Sequence, residues 1–449
     1  MYDLVVIGGG PGGYAAALQA SELGGKVALV EAAALGGTCV NRGCIPTMVW
    51  LQAAERLRAL RTAEALGITA RVEGVDAGAV VARKEAVVEQ IRAGMAGILE
   101  GREIHVVSGR AEVEAPGRVR VGDRVLEGRA LVIATGSRSE IPAVEGLDQA
   151  ATPAEAVPDL AEIPSSVLVW GGGPMDVEMA GLFRSLGAEV HLAAGPDGLL
   201  PREDDDTAAR VAKALFDLGV RVHLNRALEA VRRSGDGWEA HLSGPGAEPV
   251  RVERVVTSAR RAHSEGLGLE EVGVARAPDG SVRVNARLET SVPGIYAAGD
   301  VTGGWMLSHA ATAMGRVAAR NALGGSATFA SHLVPRGIWG VPEVGSVGLT
   351  EEQAEEEGFE VAVGEFPYAA NGLAAAQGEG EGAVKIVSER RCGEILGVHI
   401  VGKGATELLG EALLAIQLEA TAGEWARGMR LHPTFSESLV EAARSALEG

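Results

Sequence analysis

Apolar and polar positions change period several times along the chain. Residues 3–31 open on Asp3-Leu4-Val5-Val6-Ile7, a run with the texture of a buried strand. The glycine turn Gly8-Gly9-Gly10-Pro11-Gly12-Gly13 follows, then an Ala-rich helix to about Leu23 and a second strand, Val27-Ala28-Leu29-Val30-Glu31. Residues 166–194 repeat this order: Ser166-Val167-Leu168-Val169-Trp170, the turn Gly171-Gly172-Gly173, a helix through Glu178 to Leu186, and Glu189-Val190-His191-Leu192. Two strand–turn–helix–strand units about 160 residues apart predict two doubly wound, Rossmann-like nucleotide-binding domains in an α/β chain. Residues 47–65 and 81–100 have helical spacing. Residues 103–134 read as short strands ending in Ala130-Leu131-Val132-Ile133-Ala134. Pro153, Pro158 and Pro164 mark 151–165 as a crossover, and 219–257 alternates like a meander. From Val334 strand-like runs (341–347, 383–387, 395–401) alternate with helical stretches (351–358, 405–422, 436–447), which predicts a separate α+β domain. The acidic clusters Glu203-Asp204-Asp205-Asp206 and Glu355-Glu356-Glu357 read as solvated helix faces.

Length and composition narrow the function. The 449 residues are enough for two to four domains, and 47% hydrophobic with 22% charged residues is the balance of an ordinary globular protein. The net charge of −19 argues against nucleic acid or an anionic membrane as partner, but not against a nucleotide cofactor held by backbone donors. Only five of the 41 basic residues are Lys, a bias that, with the high Ala and Gly, reads as genome composition. No run approaches the roughly 18 apolar residues of a membrane span. The N-terminus lacks a basic region ahead of an apolar run, so a cytoplasmic location is expected. The three cysteines, at 39, 44 and 392, cannot make a structural disulfide framework. The close pair points to redox chemistry or metal binding. No second Cys or His pair lies at ligand spacing, which removes the zinc reading and leaves no predicted metal site.

In the first turn Gly8 permits the tight bend, Gly10 admits a pyrophosphate and Gly13 lets the helix pack close on the strand. Glu31 stands where a carboxylate accepts ribose hydroxyls. Next comes Gly36-Gly37-Thr38-Cys39-Val40-Asn41-Arg42-Gly43-Cys44-Ile45-Pro46. Two thiols at a helix start feel its dipole, which lowers thiolate pKa and favours disulfide exchange. With this segment the chain resembles the pyridine-nucleotide-disulfide oxidoreductases, FAD enzymes typified by dihydrolipoamide dehydrogenase. The resemblance extends to Ala134-Thr135-Gly136, to Gly294-Ile295-Tyr296-Ala297-Ala298-Gly299-Asp300 and to Met306-Leu307-Ser308-His309. It implies an FAD site that includes Gly37, Thr38, Asp300 and His309, with a helix N-terminus facing the flavin. It also implies exchange with substrate at Cys39 and flavin contact at Cys44. In His432-Pro433-Thr434-Phe435-Ser436-Glu437 it implies an acid–base dyad of His432 and Glu437, supplied across an obligate homodimer; Thr434-x-x-Glu437 is also a capping box. Cys392 reads as a bystander in a turn. The implied division is a FAD domain in two parts (1–146 and 267–330), an NAD(P)-binding-like domain (147–266) and a dimerisation domain (331–449).

The departures cluster on the nicotinamide side. Met48 stands where the family has a Lys that pairs with a Glu matching Glu178. In the second turn Gly171 and Gly173 are kept, but the third glycine is Asp176. Its side chain is expected either to crowd the strand–helix contact and repel a pyrophosphate, or to cap the helix and fill the anion site itself. One charge pair at about 5 Å and an effective dielectric of about 20 costs roughly 3 kcal/mol, more than a hundredfold in affinity. His191-Leu192-Ala193-Ala194-Gly195 offers neither the acid expected for NAD nor the Arg expected for NADP. Ala259, within Ser258-Ala259-Arg260-Arg261-Ala262-His263, replaces a family glycine, and Arg430 stands where a first His usually precedes the His-Pro-Thr. The expected activity is therefore FAD-dependent dithiol/disulfide exchange on a small dithiol or a lipoyl domain, with NAD(P), the family's usual partner, in doubt. The alternative is a flavoprotein without nicotinamide turnover that serves as a redox sensor or structural partner.

Overall fold

The computed structural model describes residues 1–448. Its first sheet is centred on strand Tyr2–Ile7, which pairs in parallel with Val27–Glu31 on one side and Arg124–Ile133 on the other. His105–Ser108 extends the first edge, and Ile295–Ala297 pairs in parallel with Arg124–Ile133. Leu4, Val5, Val6 and Ile7 are all buried, as a parallel strand covered on both faces requires. On one face the helices Pro11–Glu22 and Ser308–Ala322 cross through small residues. A Cβ on Gly315 would lie 2.0 Å from the Gly12 carbonyl oxygen, so this crossing needs glycine.

The second sheet is parallel throughout, in the order Arg221–His223, Glu189–Ala193, Ser166–Trp170, Arg254–Thr257, Ala151–Pro153. Residues 151–165 are thus more than a crossover, since their first three form its edge strand. The expected meander also divides: Leu228–Ser234, Gly237–Leu242 and Val250–Val252 make a separate antiparallel sheet, while the flanking strands join the parallel one. Alternation reports one covered face and carries no information on the direction of the neighbouring strand. A two-stranded strap, Ser137–Ser139 with Arg260–Ala262, ties the two units together.

The C-terminal sheet runs Arg336–Ile338, Val344–Gly348, Ile395–Val401, Ala383–Glu389, Val361–Pro367, antiparallel throughout, with Ala405–Gln417 and Glu437–Ala446 packed on it. Arg336, Ser346, His399, Lys385 and Glu365 stand opposite one another in register, a polar row across five strands. This row receives the acidic segment that precedes helix Asp205–Asp217. The expectation of a solvated face fails there: Glu203 and Asp204 are only 8% and 3% exposed. Glu203 pairs with Arg336 at 2.9 Å, and Lys385 lies 3.0 Å from Asp204 and 2.7 Å from both Asp206 and Glu351. Partners more than 130 positions away turn an apparent surface run into a buried seam. Glu355, Glu356 and Glu357 are exposed as expected. Replacing Arg336 by Met leaves Glu203 buried without its counter-charge, and chemical denaturation is expected to show a loss of about 3–5 kcal/mol. Adding Glu203→Leu should recover most of it. An unchanged single variant would show that the pair is not buried in solution.

Candidate active site

The first glycine turn forms because nothing else fits. Gly8 has φ 106°, and a Cβ there would lie 2.3 Å from the Ala134 carbonyl oxygen; a Cβ on Gly13 would lie 1.8 Å from the Gly8 oxygen. The helix starts at Gly10 without a side-chain cap and with no acid in its first turn, so its leading amides are left for an anion. Gly37 comes up against Gly10, where a Cβ would lie 2.8 Å from the Gly10 Cα. The two bare turns form one cradle. Glu31 closes its outer end, accepting the amides of Gly9 at 2.6 Å and Ala33 at 2.8 Å. Ala134 and Gly136 bond in backbone to Ile7 and His263, and the Thr135 hydroxyl donates to the His263 carbonyl at 2.6 Å. Asp300 accepts the Ser137 hydroxyl at 2.6 Å. Arg260 in turn donates to that Ser137 oxygen at 2.9 Å and pairs with Glu155 at 3.2 Å. Sequence reasoning missed Ser137, Arg260 and Glu155 as supports of Asp300, because no local spacing links them. His309 is exposed and tied to the Pro335 carbonyl at 2.6 Å.

Beside the cradle, helix Gly37–Asn41 carries Cys39 and Thr38, the chain breaks at Arg42 and Gly43, and Cys44 opens helix Cys44–Thr62. The two cysteines are unbonded thiols that share a hydrogen bond, and Ser308 at the head of helix Ser308–Ala322 also bonds to Cys39. The Cys44 bond and then the Ser308 bond favour a thiolate at Cys39 against burial, bringing it down to about 7. Cys44, which is exposed, is driven upward first by the hydrogen bond to Cys39 and also by the Cys39 and Glu178 charges. The pair releases one proton easily and holds the second.

Met48 lies one turn beyond Cys44 on the same helix, which packs against helix Pro174–Leu186. Glu178 on that second helix has no cationic partner among the described residues. Its Oε1 accepts the Trp339 amide at 2.9 Å, and burial pushes its carboxyl up to about 7. In the second glycine turn Asp176 does not crowd the strand. Its carboxylate folds back and Oδ2 accepts the Gly173 amide at 3.0 Å, the one arm of a capping box that a glycine N-cap allows. A Cβ on Gly171 would lie 2.2 Å from that oxygen. Asp176 is 3% exposed, its Oδ1 has no hydrogen-bond partner, and burial pushes it up to about 6.

His432 Nδ1 lies 2.9 Å from Glu437 Oε1, and Glu437 Oε2 accepts the Thr434 amide at 2.9 Å. Only one arm of the expected capping box forms: Glu437 takes the Thr434 amide, but the helix begins at Glu437 itself and the Thr434 hydroxyl donates to the Leu431 carbonyl. The Thr434 amide first, then His432, hold Glu437 below the usual carboxylate range. His432 is exposed and directly follows a stretch in which Met429 and Leu431 are 95% and 79% exposed. Within one chain no hydrogen bond joins His432 to either thiol among the described residues. Cys392 is exposed in a turn, its amide donating to Glu389.

Residues 2–315 match the family described as pyridine nucleotide-disulphide oxidoreductase, and residues 334–443 match the dimerisation domain of that family. The chain belongs to this family. Over 99% of its length it is 39% identical to a dihydrolipoyl dehydrogenase of Thermus scotoductus, of which 97% is covered. It is 37% identical to a dihydrolipoyl dehydrogenase of Bacillus subtilis, covering 99% of this chain and 98% of that one. Among solved structures it is similar to LpdA from Mycobacterium tuberculosis, with a TM-score of 0.90 and 27% identity over 98% of this chain and 99% of that one. It is also similar to the HOCl-induced flavoprotein disulfide reductase RclA from Escherichia coli, with a TM-score of 0.87 and 28% identity over 99% of both chains. The chain is an FAD-dependent disulfide oxidoreductase of α/β architecture. No helix among the described residues is long and apolar enough to cross a membrane.

With the pair reduced, alkylation by iodoacetamide should rise with pH about a midpoint near 7, and Ser308→Ala should move that midpoint upward. A midpoint at the ordinary thiol value of about 8.5 would contradict the shared proton. Glu178 gives a second pH signature. Its raised carboxyl binds a proton more tightly in the folded state, so its contribution is complete below about 4.5 and is lost as pH rises through about 7. The loss is on the order of 3 kcal/mol. Glu178→Gln should remove this part of the slope in denaturation measured from pH 4.5 to 8, whereas identical slopes would place the carboxylate in solvent.

Proposed function

We propose that Cys39 and Cys44 exchange a disulfide with a small dithiol or a lipoyl-bearing substrate, and that turnover with NAD(P) is weak. The observation that carries this reading is the shared thiol proton beside an uncapped, side-chain-free cradle. The residues present fit FAD: Gly8, Gly10, Gly13 and Gly37 leave room for a pyrophosphate where any Cβ on Gly8, Gly13 or Gly37 would collide. Glu31 and Asp300 stand at its two ends as acceptors for hydroxyl groups. When bound, FAD supplies a two-electron acceptor for the thiol pair.

The protein's own part is proton and sulfur chemistry. Starting from the oxidised pair, a substrate thiolate attacks Cys39 Sγ, the Cys39–Cys44 bond breaks, and Cys44 leaves and takes up the proton that the reduced pair holds. The second substrate thiol attacks the mixed disulfide and expels Cys39. The substrate is thereby oxidised to a disulfide and the protein pair is reduced by two electrons. His432 takes the proton of the incoming thiol at Nε2, because Glu437 holds the Nδ1 proton and fixes the tautomer. Its exposure beside Met429 and Leu431 fits a homodimer in which His432 faces the partner subunit's thiol pair.

The second reading, a flavoprotein without nicotinamide turnover acting as sensor or structural partner, is favoured by Asp176 in the second turn and by Glu178 without its cation. Stopped-flow reduction separates the two. Bleaching of the flavin by dihydrolipoamide but not by millimolar NADH is expected. Rapid bleaching by NADH would refute the weakened site, and no bleaching by either would favour the second reading. Met48→Lys with Asp176→Gly is expected to raise NADH-dependent reduction at least about tenfold, since roughly 1.4 kcal/mol of recovered binding suffices.

A further inference from the structure

We infer that Asp176 gates dinucleotide binding by protonation: its neutral form leaves the second glycine turn open to a pyrophosphate, and its ionised form closes it. The inference rests on the reading of that turn as a weakened nicotinamide site. The contrast between the two turns is its basis. Both helices begin with an extended glycine followed by Pro, so each has lost one amide donor at its first position. At Gly10 no side chain competes for the remaining amides. At Gly173 the amide is already donated to Asp176, and the carboxylate lies buried beneath Gly171. An incoming pyrophosphate meets a negative charge that it cannot displace into solvent.

The charge is conditional. The groups acting on Asp176 are the Gly173 amide of its own turn and the Ser258 hydroxyl from the segment after strand Arg254–Thr257; both favour ionisation, burial opposes it, and burial prevails. No charged side chain among the described residues shifts it. With Oδ1 buried and unpartnered, nothing solvates a charge on that oxygen, and an unpaired buried charge costs more than a neutral buried hydroxyl. Glu178, two positions further along the same helix and so on a different face, is the other carboxyl of this helix that titrates upward, so the test must separate the two.

The probe is ADP-ribose, which carries the pyrophosphate without a reactive nicotinamide, titrated calorimetrically into the FAD-loaded dimer from pH 5.5 to 8. For the unmodified protein the dissociation constant is expected to rise about tenfold per pH unit above pH 6, with uptake of close to one proton per ligand at pH 7. Asp176→Asn and Asp176→Gly should bind tightly and without this slope, while Glu178→Gln should retain it. A flat profile in the unmodified protein, or a slope abolished by Glu178→Gln instead, overturns the gate. If both Asp176 variants bind and the unmodified protein binds at no pH, the gate falls while the weakened-site reading stands. If the unmodified protein binds at pH 8 as tightly as Asp176→Asn, the weakened-site reading falls with it.

Discussion

The placing of two thiols at adjoining helix boundaries is the constraint on which the candidate site depends. Cys39 and Cys44 come together because the helical path is interrupted at Arg42 and Gly43, so that one short helix ends and a second begins with a thiol at its head. The start of a third helix, at Ser308, adds a hydroxyl. Helix N-termini favour negative charge, and here they do so beside a cradle from which side chains have been removed. Four glycines fit where a Cβ would strike backbone or leave no room for a phosphate. The thiol pair and the cradle are therefore one construction: the Gly36-Gly37 bend that starts the helix carrying Cys39 is also the bend that lies against Gly10.

The two glycine turns put the same local geometry to opposite uses. Each begins a helix with glycine and proline under a parallel sheet. One has no side chain on its leading amides; the other gives the Gly173 amide to Asp176. Of the two side chains by which the second turn differs, Met175 for Gly12 and Asp176 for Gly13, only Asp176 at the third glycine position brings a charge. Its effect is electrostatic as well as steric, since the carboxylate occupies the place where an anion would otherwise gain from the helix dipole.

The C-terminal unit does more than present a dimer surface. Its polar row grips Glu203, Asp204 and Asp206. Trp339, just beyond the Arg336–Ile338 strand of that row, donates its amide to Glu178. The environment of a carboxyl close to the thiols is thus set by a segment more than 160 residues away. Met48 leaves that carboxyl with a neutral donor only, and its affinity for a proton rises accordingly.

Local spacing by itself determined the two glycine turns, the helix that Cys44 opens, the Cys-x4-Cys pair and the proximity of His432 to Glu437, because each is a short-range relation among neighbours on one turn or one strand end. The resemblance to the family, and not spacing, showed that Asp176, Met48 and Ala259 depart from its pattern. Tertiary structure decided what the breaks mean. Whether Asp176 crowds its strand or caps its helix depends on the space beneath Gly171. Whether the 203–206 acids are solvated depends on Arg336 and Lys385 arriving from another sheet. Whether residues 151–153 and 221–223 pair in parallel depends on which strands lie beside them. Charge, burial and strand partnership are properties of neighbours in space, and the chain order of a 449-residue protein does not disclose those neighbours.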